Sequence, residues 1–111
     1  MASRAKKKAP KRAPRARIKA YMFDLDGTLV LGDRSGKSYD VLPGAIDTLA
    51  RLKEQGIPYV LLTNGSAQPP PSQAAKLRGV GLPVEDSQML TPSSVTAGVL
   101  SQRGVRRVLV L

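Results

Sequence analysis

The chain has 111 residues and a mass of 11.8 kDa, enough for one small domain. It contains neither cysteine nor histidine, which excludes disulfides, thiolate nucleophiles, Ser-His-Asp catalysis and metal sites built on those residues. The formal net charge is +10, but residues 1–19 hold nine of the 18 basic residues and no acid. Residues 20–111 carry nine basic and eight acidic residues, so a nearly neutral body follows a basic arm.

Residues 1–19 form a low-complexity arm of Ala, Pro, Lys and Arg. Ile18 is its one large apolar residue besides Met1, so we expect the arm to be disordered. The arm could attract nucleic-acid phosphates, serve as a mitochondrial presequence, or be a solvated tail. Two prolines and many lysines disfavour the presequence. No apolar run approaches the roughly 20 residues of a membrane span, so we expect no membrane partner and a cytoplasmic location.

The first half of the body alternates between apolar and helical patterns. Residues 18–23 predict a strand buried on both faces, and residues 28–41 predict a loop rich in Gly and Asp. A helix is predicted to begin near Pro43 and to end before Gly56. Residues 57–62 predict a second buried strand.

The second half predicts two helices and a strand. After a polyproline turn over residues 68–71, Ser72 is expected to cap a helix that ends at Gly79. Thr91, followed by Pro92, is expected to cap a helix through Gln102, and residues 105–111 predict a third strand. Strands alternating with helices indicate an α/β fold, a doubly wound parallel sheet over residues 20–111.

Polar residues follow the first two predicted strands, at the sheet edge where α/β proteins bind ligands. Asp24 and Asp26 lie two residues apart, and on a continuing strand their side chains would share a face. Such a carboxylate pair favours a bound Mg²⁺, while Gly27 lets the backbone turn and present N–H groups to an anion. Thr63 and Asn64 can donate hydrogen bonds to a phosphate after the second strand. Each motif alone is also typical of an ordinary turn after a strand.

Taken together, the two motifs resemble the haloacid dehalogenase (HAD) superfamily of phosphohydrolases. The resemblance rests on an apolar strand, the Asp24–Leu29 sequence DLDGTL, a loop, a helix, and an apolar strand ending in Thr63-Asn64. Three further segments resemble the C2-capped subfamily IIA, the nitrophenylphosphatase and phosphoglycolate phosphatase type: LPGA at 42–45, LLTN at 61–64 and GVGL at 79–82. The similarity covers residues 20–111.

The resemblance implies a role for each matching residue. Asp24 would attack phosphorus and form an aspartyl-phosphate, while Asp26 would act as general acid and base. Mg²⁺ would be held by the Asp24 carboxylate and the Asp26 backbone carbonyl. Thr63 would bind the transferring phosphoryl group, assisted by backbone N–H groups of Leu25, Asp26 and Asn64. The partner would be a small-molecule phosphoester.

Two motifs of a complete HAD enzyme have no match in the sequence: a Lys beside the nucleophile and a later acidic pair. Lys53 and Lys76 fall on predicted helices, and Glu85-Asp86 precedes the third helix, where it is interpreted as solvated surface charge. In subfamily IIA the cap would begin after Leu111. We therefore expect either the N-terminal part of a longer hydrolase or a gene product truncated there, with weak or no activity alone.

Two alternatives to a phosphatase remain. The first is a non-catalytic remnant that binds phosphate or a partner chain, and an open sheet edge would also permit self-association. The second is nucleic-acid binding led by the basic arm. Four aromatic residues in the whole chain provide no platform for stacking bases.

Overall fold

The computed structural model describes residues 17–35, 37–65 and 67–111. The arm predicted over residues 1–19 therefore lies almost wholly outside the described residues. The strands of the described part are β1 (Tyr21–Asp24), β2 (Val30–Gly32), β3 (Tyr39–Val41), β4 (Tyr59–Leu62) and β5 (Met89–Leu90). Its α-helices are α1 (Ala45–Glu54), α2 (Pro70–Gly79) and α3 (Pro92–Gln102), and a short 3-10 helix spans Asp86–Gln88.

A three-stranded parallel sheet organises the fold, with the strands in the order β1-β4-β5. Asp24 of β1 is in register with Leu62 of β4, and Leu62 is in register with Leu90 of β5. Helical crossovers between parallel strands confirm the predicted α/β class. Because the strands are parallel, their carboxyl ends meet at one edge of the sheet.

One hydrophobic core connects this sheet with α1 and α2. Its members alternate along β4 and recur at helical spacing on α1 and α2. Leu61 of β4, Leu49 of α1 and Leu77 of α2 are completely buried. The described part of the chain has no helix long and apolar enough to cross a membrane.

Two predicted helices are confirmed with only small shifts at their ends. The helix predicted from Pro43 begins at Ala45 and ends before Gly56, which adopts a positive φ of 66°. Thr91 caps α3 as predicted: its side chain accepts a hydrogen bond from the Ser94 N–H. The predicted cap of α2 is wrong, because the helix begins at Pro70 with Pro69 as its N-cap. Prolines fit the first turn of a helix, where their missing N–H is not needed.

The third predicted strand is also wrong. Residues 105–111 form no strand, and the Leu109 and Val110 side chains are more than four-fifths exposed. The third strand of the sheet is instead the two-residue β5, next to β4. Within the described part of the chain no strand pairs with this apolar run, and hydrophobicity without a pairing partner does not make a strand.

The first strand and the loop after it also differ from expectation. β1 is not buried on both faces: Met22 is 65% exposed, and β1 is an edge strand with one neighbouring strand in the described part of the chain. Residues 28–41 contain an antiparallel hairpin, β2 and β3, in which Val30 pairs with Val41. Val30 is completely buried, so the hairpin is anchored in the core despite its polar turn.

Candidate active site

The loop after β1 wraps around one backbone carbonyl. The Leu25 C=O accepts hydrogen bonds from the N–H groups of Thr28, Leu29 and Val30, at 3.3, 3.0 and 3.2 Å. Gly27, at φ 77°, donates its N–H to the Val30 carbonyl at 2.8 Å. A positive φ of this kind favours glycine. The result is a closed turn that holds the two carboxylates of the DLDGTL motif on a fixed backbone.

Asp24 and Asp26 have different structural surroundings. Asp24 is the last residue of β1, and the strand does not continue to Asp26, so the condition under which their side chains would share a strand face is not met. Both residues are exposed. The Thr28 hydroxyl donates a long, 3.4 Å hydrogen bond to Asp24 Oδ2. Within the described residues, neither the N–H nor the C=O of Asp26 makes a backbone hydrogen bond. Both groups are therefore available to a ligand.

Thr63 lies directly after β4, one residue beyond the partner of Asp24 in the parallel ladder. Its N–H donates to the Leu90 carbonyl at 3.1 Å, which prolongs the pairing with β5. The side chain is only 3% exposed, and its Oγ1 accepts the Gly65 N–H at 3.1 Å. Neighbouring strands lie about 4.8 Å apart, so the ends of β1 and β4 bring Asp24 and Thr63 to the same edge. Asn64 follows them and is exposed.

The hairpin places an aromatic ring beside Asp26. A Cβ added at Gly32 would lie 3.6 Å from Asp26 Oδ1 and 3.7 Å from Tyr39 Cε1, so these two groups flank the same glycine. Partial burial raises the pKa of Tyr39, and the negative charge of Asp26 raises it further. A cleft of about 240 Å³ opens here, with Asp26, Tyr39 and Gly65 in its wall.

Gln73 also lines this cleft, and sequence reasoning did not identify it. Its side chain is 5% exposed, and its Nε2 donates to the Gly65 carbonyl at 3.0 Å. The sequence holds one signal, because Gln73 lies four residues before Leu77 and so on the same helix face; the structure buries Gln73 together with Ala74 and Leu77.

The charged residues that lacked a family match lie where the sequence predicted. Lys53 is on α1 and Lys76 on α2. Glu85 caps the 3-10 helix, and Asp86 forms an exposed ion pair with Arg78 at 3.0 Å. This pair precedes β5 and so lies at the amino ends of the strands. A larger cleft of about 420 Å³ is at that end, away from the residues with predicted roles.

No group of three or more acidic residues that could hold a metal ion occurs within residues 17–35, 37–65 and 67–111. The resemblance implies the Asp24 carboxylate and the Asp26 carbonyl as protein ligands of a cation, and the Asp26 carbonyl accepts no backbone hydrogen bond in the described part of the chain. Mg²⁺ commonly binds through one or two carboxylates and takes its other oxygens from water and phosphate. The donor types present fit such an ion.

Comparison with known proteins gives a family match over most of the chain. The family model described as haloacid dehalogenase-like hydrolase matches residues 21–111. The 5'-nucleotidase YutF of Bacillus subtilis is 33% identical over 85 residues, which cover 77% of this chain and 31% of that protein. The acid sugar phosphatase of Staphylococcus saprophyticus is 31% identical over 84 residues, covering 76% and 30%.

Solved structures agree with this match. The 4-nitrophenylphosphatase of Thermotoga maritima superimposes with a TM-score of 0.68 at 32% identity, covering 80% of this chain and 32% of that one. NagD of E. coli gives a TM-score of 0.61 at 34% identity, covering 75% and 31%. The chain thus spans about a third of the length of the relatives that it matches.

Proposed function

The chain belongs to the haloacid dehalogenase-like hydrolases, and we propose that it carries the nucleophile and phosphoryl-binding part of a Mg²⁺-dependent phosphomonoester hydrolase. Its relatives of the nitrophenylphosphatase and NagD type confirm the resemblance to subfamily IIA. The observation that carries the proposal is the parallel register that brings Asp24 and Thr63 to one edge of the sheet. The substrate is proposed to be a small phosphoester.

Asp24 is the proposed nucleophile. Its carboxylate is exposed, and its one hydrogen bond in the described part of the chain is the long contact with Thr28. An incoming phosphoryl group can therefore reach it without displacing a strong partner. Attack by one carboxylate oxygen on phosphorus releases the alcohol and leaves an acyl phosphate on Asp24. Water then cleaves that phosphate and restores the carboxylate.

Thr63 is proposed to bind an oxygen of the transferring phosphoryl group. Its Oγ1 already accepts the Gly65 N–H, so the hydroxyl hydrogen is left to donate. The Asp26 N–H, which makes no backbone hydrogen bond among the described residues, can donate in the same way, and the N–H groups of Leu25 and Asn64 are proposed as further donors. Neutral donors fixed before the reaction stabilise the charge that develops on the phosphoryl oxygens.

Asp26 is the proposed general acid and base. Its carboxylate borders the cleft on the hairpin side, where the leaving alcohol of a phosphoester would lie next to the phosphoryl group. In the first step it would give its proton to the leaving oxygen, and in the second it would take one from the attacking water. Tyr39 lines the same cleft, and the charge of Asp26 is close enough to raise the pKa of the Tyr39 hydroxyl.

Mg²⁺ would be held by the Asp24 carboxylate and the Asp26 carbonyl oxygen. When bound, the ion would neutralise part of the charge that two carboxylates and a phosphate bring together. The described residues place no Lys or Arg among the groups that line the cleft. We therefore expect turnover by this chain to be weak.

The test is hydrolysis of 4-nitrophenyl phosphate by the full chain with Mg²⁺, together with calorimetric titration of inorganic phosphate. Asp24→Asn should abolish turnover, because an amide is a poor nucleophile towards phosphorus. Asp86→Asn is the matched control, since Asp86 pairs with Arg78 at the opposite end of the sheet, and it should leave turnover unchanged. Turnover that survives Asp24→Asn would refute the mechanism. Phosphate binding without turnover would favour the non-catalytic alternative.

A further inference from the structure

Gln73 combines a hydrogen bond to Gly65, in the loop after β4, with a buried atom that has no partner in the described part of the chain. Nε2 donates to the Gly65 carbonyl at 3.0 Å, while Oε1 is buried without a hydrogen-bond partner in the described part of the chain. A buried acceptor without a donor destabilises the folded state. An apolar residue of the same length would avoid that cost. Stability therefore does not explain a glutamine at this position.

The hydrogen bond of Gln73 continues to the predicted phosphoryl site through two short steps. Gly65 accepts the Gln73 hydrogen bond at its carbonyl, and its N–H donates to Thr63 Oγ1 at 3.1 Å. A hydrogen bond that fixes the Gly65 carbonyl also restricts the direction of the Gly65 N–H. The Gly65 N–H occupies a lone pair of the Thr63 oxygen, so the Thr63 hydroxyl hydrogen is directed away from Gly65.

In the described part of the chain, Gly65 makes one hydrogen bond to the Thr63 side chain and one to the Gln73 side chain. Gly65 is exposed, and a Cβ at this position would lie 3.4 Å from Thr63 Oγ1 and 3.6 Å from Gln73 Nε2. Gly65 thus lies between the two side chains. Without Gln73, water could satisfy the Gly65 carbonyl in many orientations. The backbone of an exposed glycine would then adopt several conformations.

We propose that Gln73 is a positioning residue for the phosphoryl site, which orients Gly65 so that the Thr63 hydroxyl is fixed to donate to a phosphoryl oxygen. It does so without touching the substrate. The role rests on the proposed function, because it has a purpose only if Thr63 binds phosphate. If the role of Gln73 were only structural, its substitution would lower stability and phosphate binding together. If Gln73 positions Gly65, its substitution should weaken phosphate binding without lowering stability.

The test compares Gln73→Met with Gln88→Met in the full chain. Gln88 is the matched control, because its Nε2 also donates to a backbone carbonyl, that of Tyr59, at 2.9 Å and at the other end of β4. Gln73→Met should keep or raise the melting temperature and weaken the binding of inorganic phosphate, in the presence of Mg²⁺, about three- to tenfold. Gln88→Met should lower the melting temperature and leave phosphate binding within about twofold of the wild type.

Two results would overturn the proposal. One is a Gln73→Met protein that binds phosphate like the wild type. The other is a Gln73→Met protein that loses as much melting temperature as Gln88→Met, or that does not fold. If the wild type itself binds no phosphate, the proposed function fails, and hydrogen exchange at the Gly65 amide still tests the positioning. That exchange should be about three- to tenfold faster in Gln73→Met than in the wild type, and equal rates would overturn the inference.

Discussion

Replacing Thr63 with Val tests the proposed phosphate-binding role of the Thr63 hydroxyl, because we expect it to weaken phosphate binding much more than it destabilises the fold. Valine keeps the shape of a side chain that is only 3% exposed, and removes the hydroxyl. The protein loses the acceptor for the Gly65 N–H, but Gly65 is exposed, so water can take that bond. The expected loss of unfolding free energy is therefore small, about 0.5–1 kcal/mol.

The expected effect on phosphate binding is larger. A hydrogen bond to a charged group contributes about 1.5–3 kcal/mol, and a difference of about 1.4 kcal/mol is a factor of ten in the dissociation constant. Thr63→Val should therefore weaken the binding of inorganic phosphate about 10- to 150-fold. Thr63→Ser keeps the hydroxyl and should retain most of the affinity.

Thr91 is the matched control, because it follows β5 as Thr63 follows β4 and is 1% exposed. Its hydroxyl accepts the Ser94 N–H and so belongs to the cap of α3. Thr91→Val should cost about 1 kcal/mol and lower the melting temperature by roughly 5 °C, with phosphate binding unchanged. Calorimetric titration and thermal melting measure both quantities. Equal phosphate affinity for Thr63→Val and the wild type, or equal losses for the two valine variants, would refute the reasoning.

Two further predictions concern the backbone and the hairpin turn. Gly81→Ala should lower the free energy of unfolding, measured in urea, more than Gly56→Ala does. Both glycines have positive φ, but of the two only Gly81 would place its new Cβ against a side chain, with Ile46 Cδ1 at 3.1 Å. Combining Gly81→Ala with Ile46→Val should recover the difference, and no recovery would show that backbone strain alone is responsible. The second prediction concerns Asp33, whose pKa is lowered to about 2, chiefly by the hydroxyl of the nearby Ser35 and against the effect of burial. The stability that this carboxylate gives the turn is complete above its usual pKa of 3.8 and is lost as the pH falls through about 2. The Lys37 N–H donates to this carboxylate, so its NMR chemical shift should change with a midpoint at about pH 2. A midpoint near 3.8 would contradict this.

The sequence was sufficient where the signal is local. The cap of α3 could be predicted because Thr91 and Pro92 carry its geometry in adjacent residues. β4 could be predicted because its apolar residues are consecutive. The meeting of the strand ends followed from parallel pairing, and the register of Asp24 with Leu62 confirms it. The chemical roles assigned to Asp24, Asp26 and Thr63 stay predictions.

The sequence was insufficient where pairing is decided at long range. The two strands of the hairpin have three residues each, too few for alternation to stand out beside a turn rich in polar residues. Residues 105–111 contain more apolar residues than the two-residue β5, yet β5 occupies the place beside β4. Gln73 was missed for a similar reason. Its partner Gly65 lies eight residues earlier in a loop, and no residue pattern indicates that contact.

The exposure of β1 has a consequence for how the proposed site is lost. β1 contributes Asp24, yet it has the most exposed side chains of the three sheet strands and one neighbouring strand in the described part of the chain. Local opening of a protein starts where few side chains are buried. β1 can therefore separate from β4 as far as Asp24 while the buried Leu25, Leu29 and Val30 stay in the core with α1 and α2. In such a partly opened chain Thr63 and Gly65 keep their positions after β4, whereas Asp24 moves away from them. Turnover can therefore be lost before phosphate binding is.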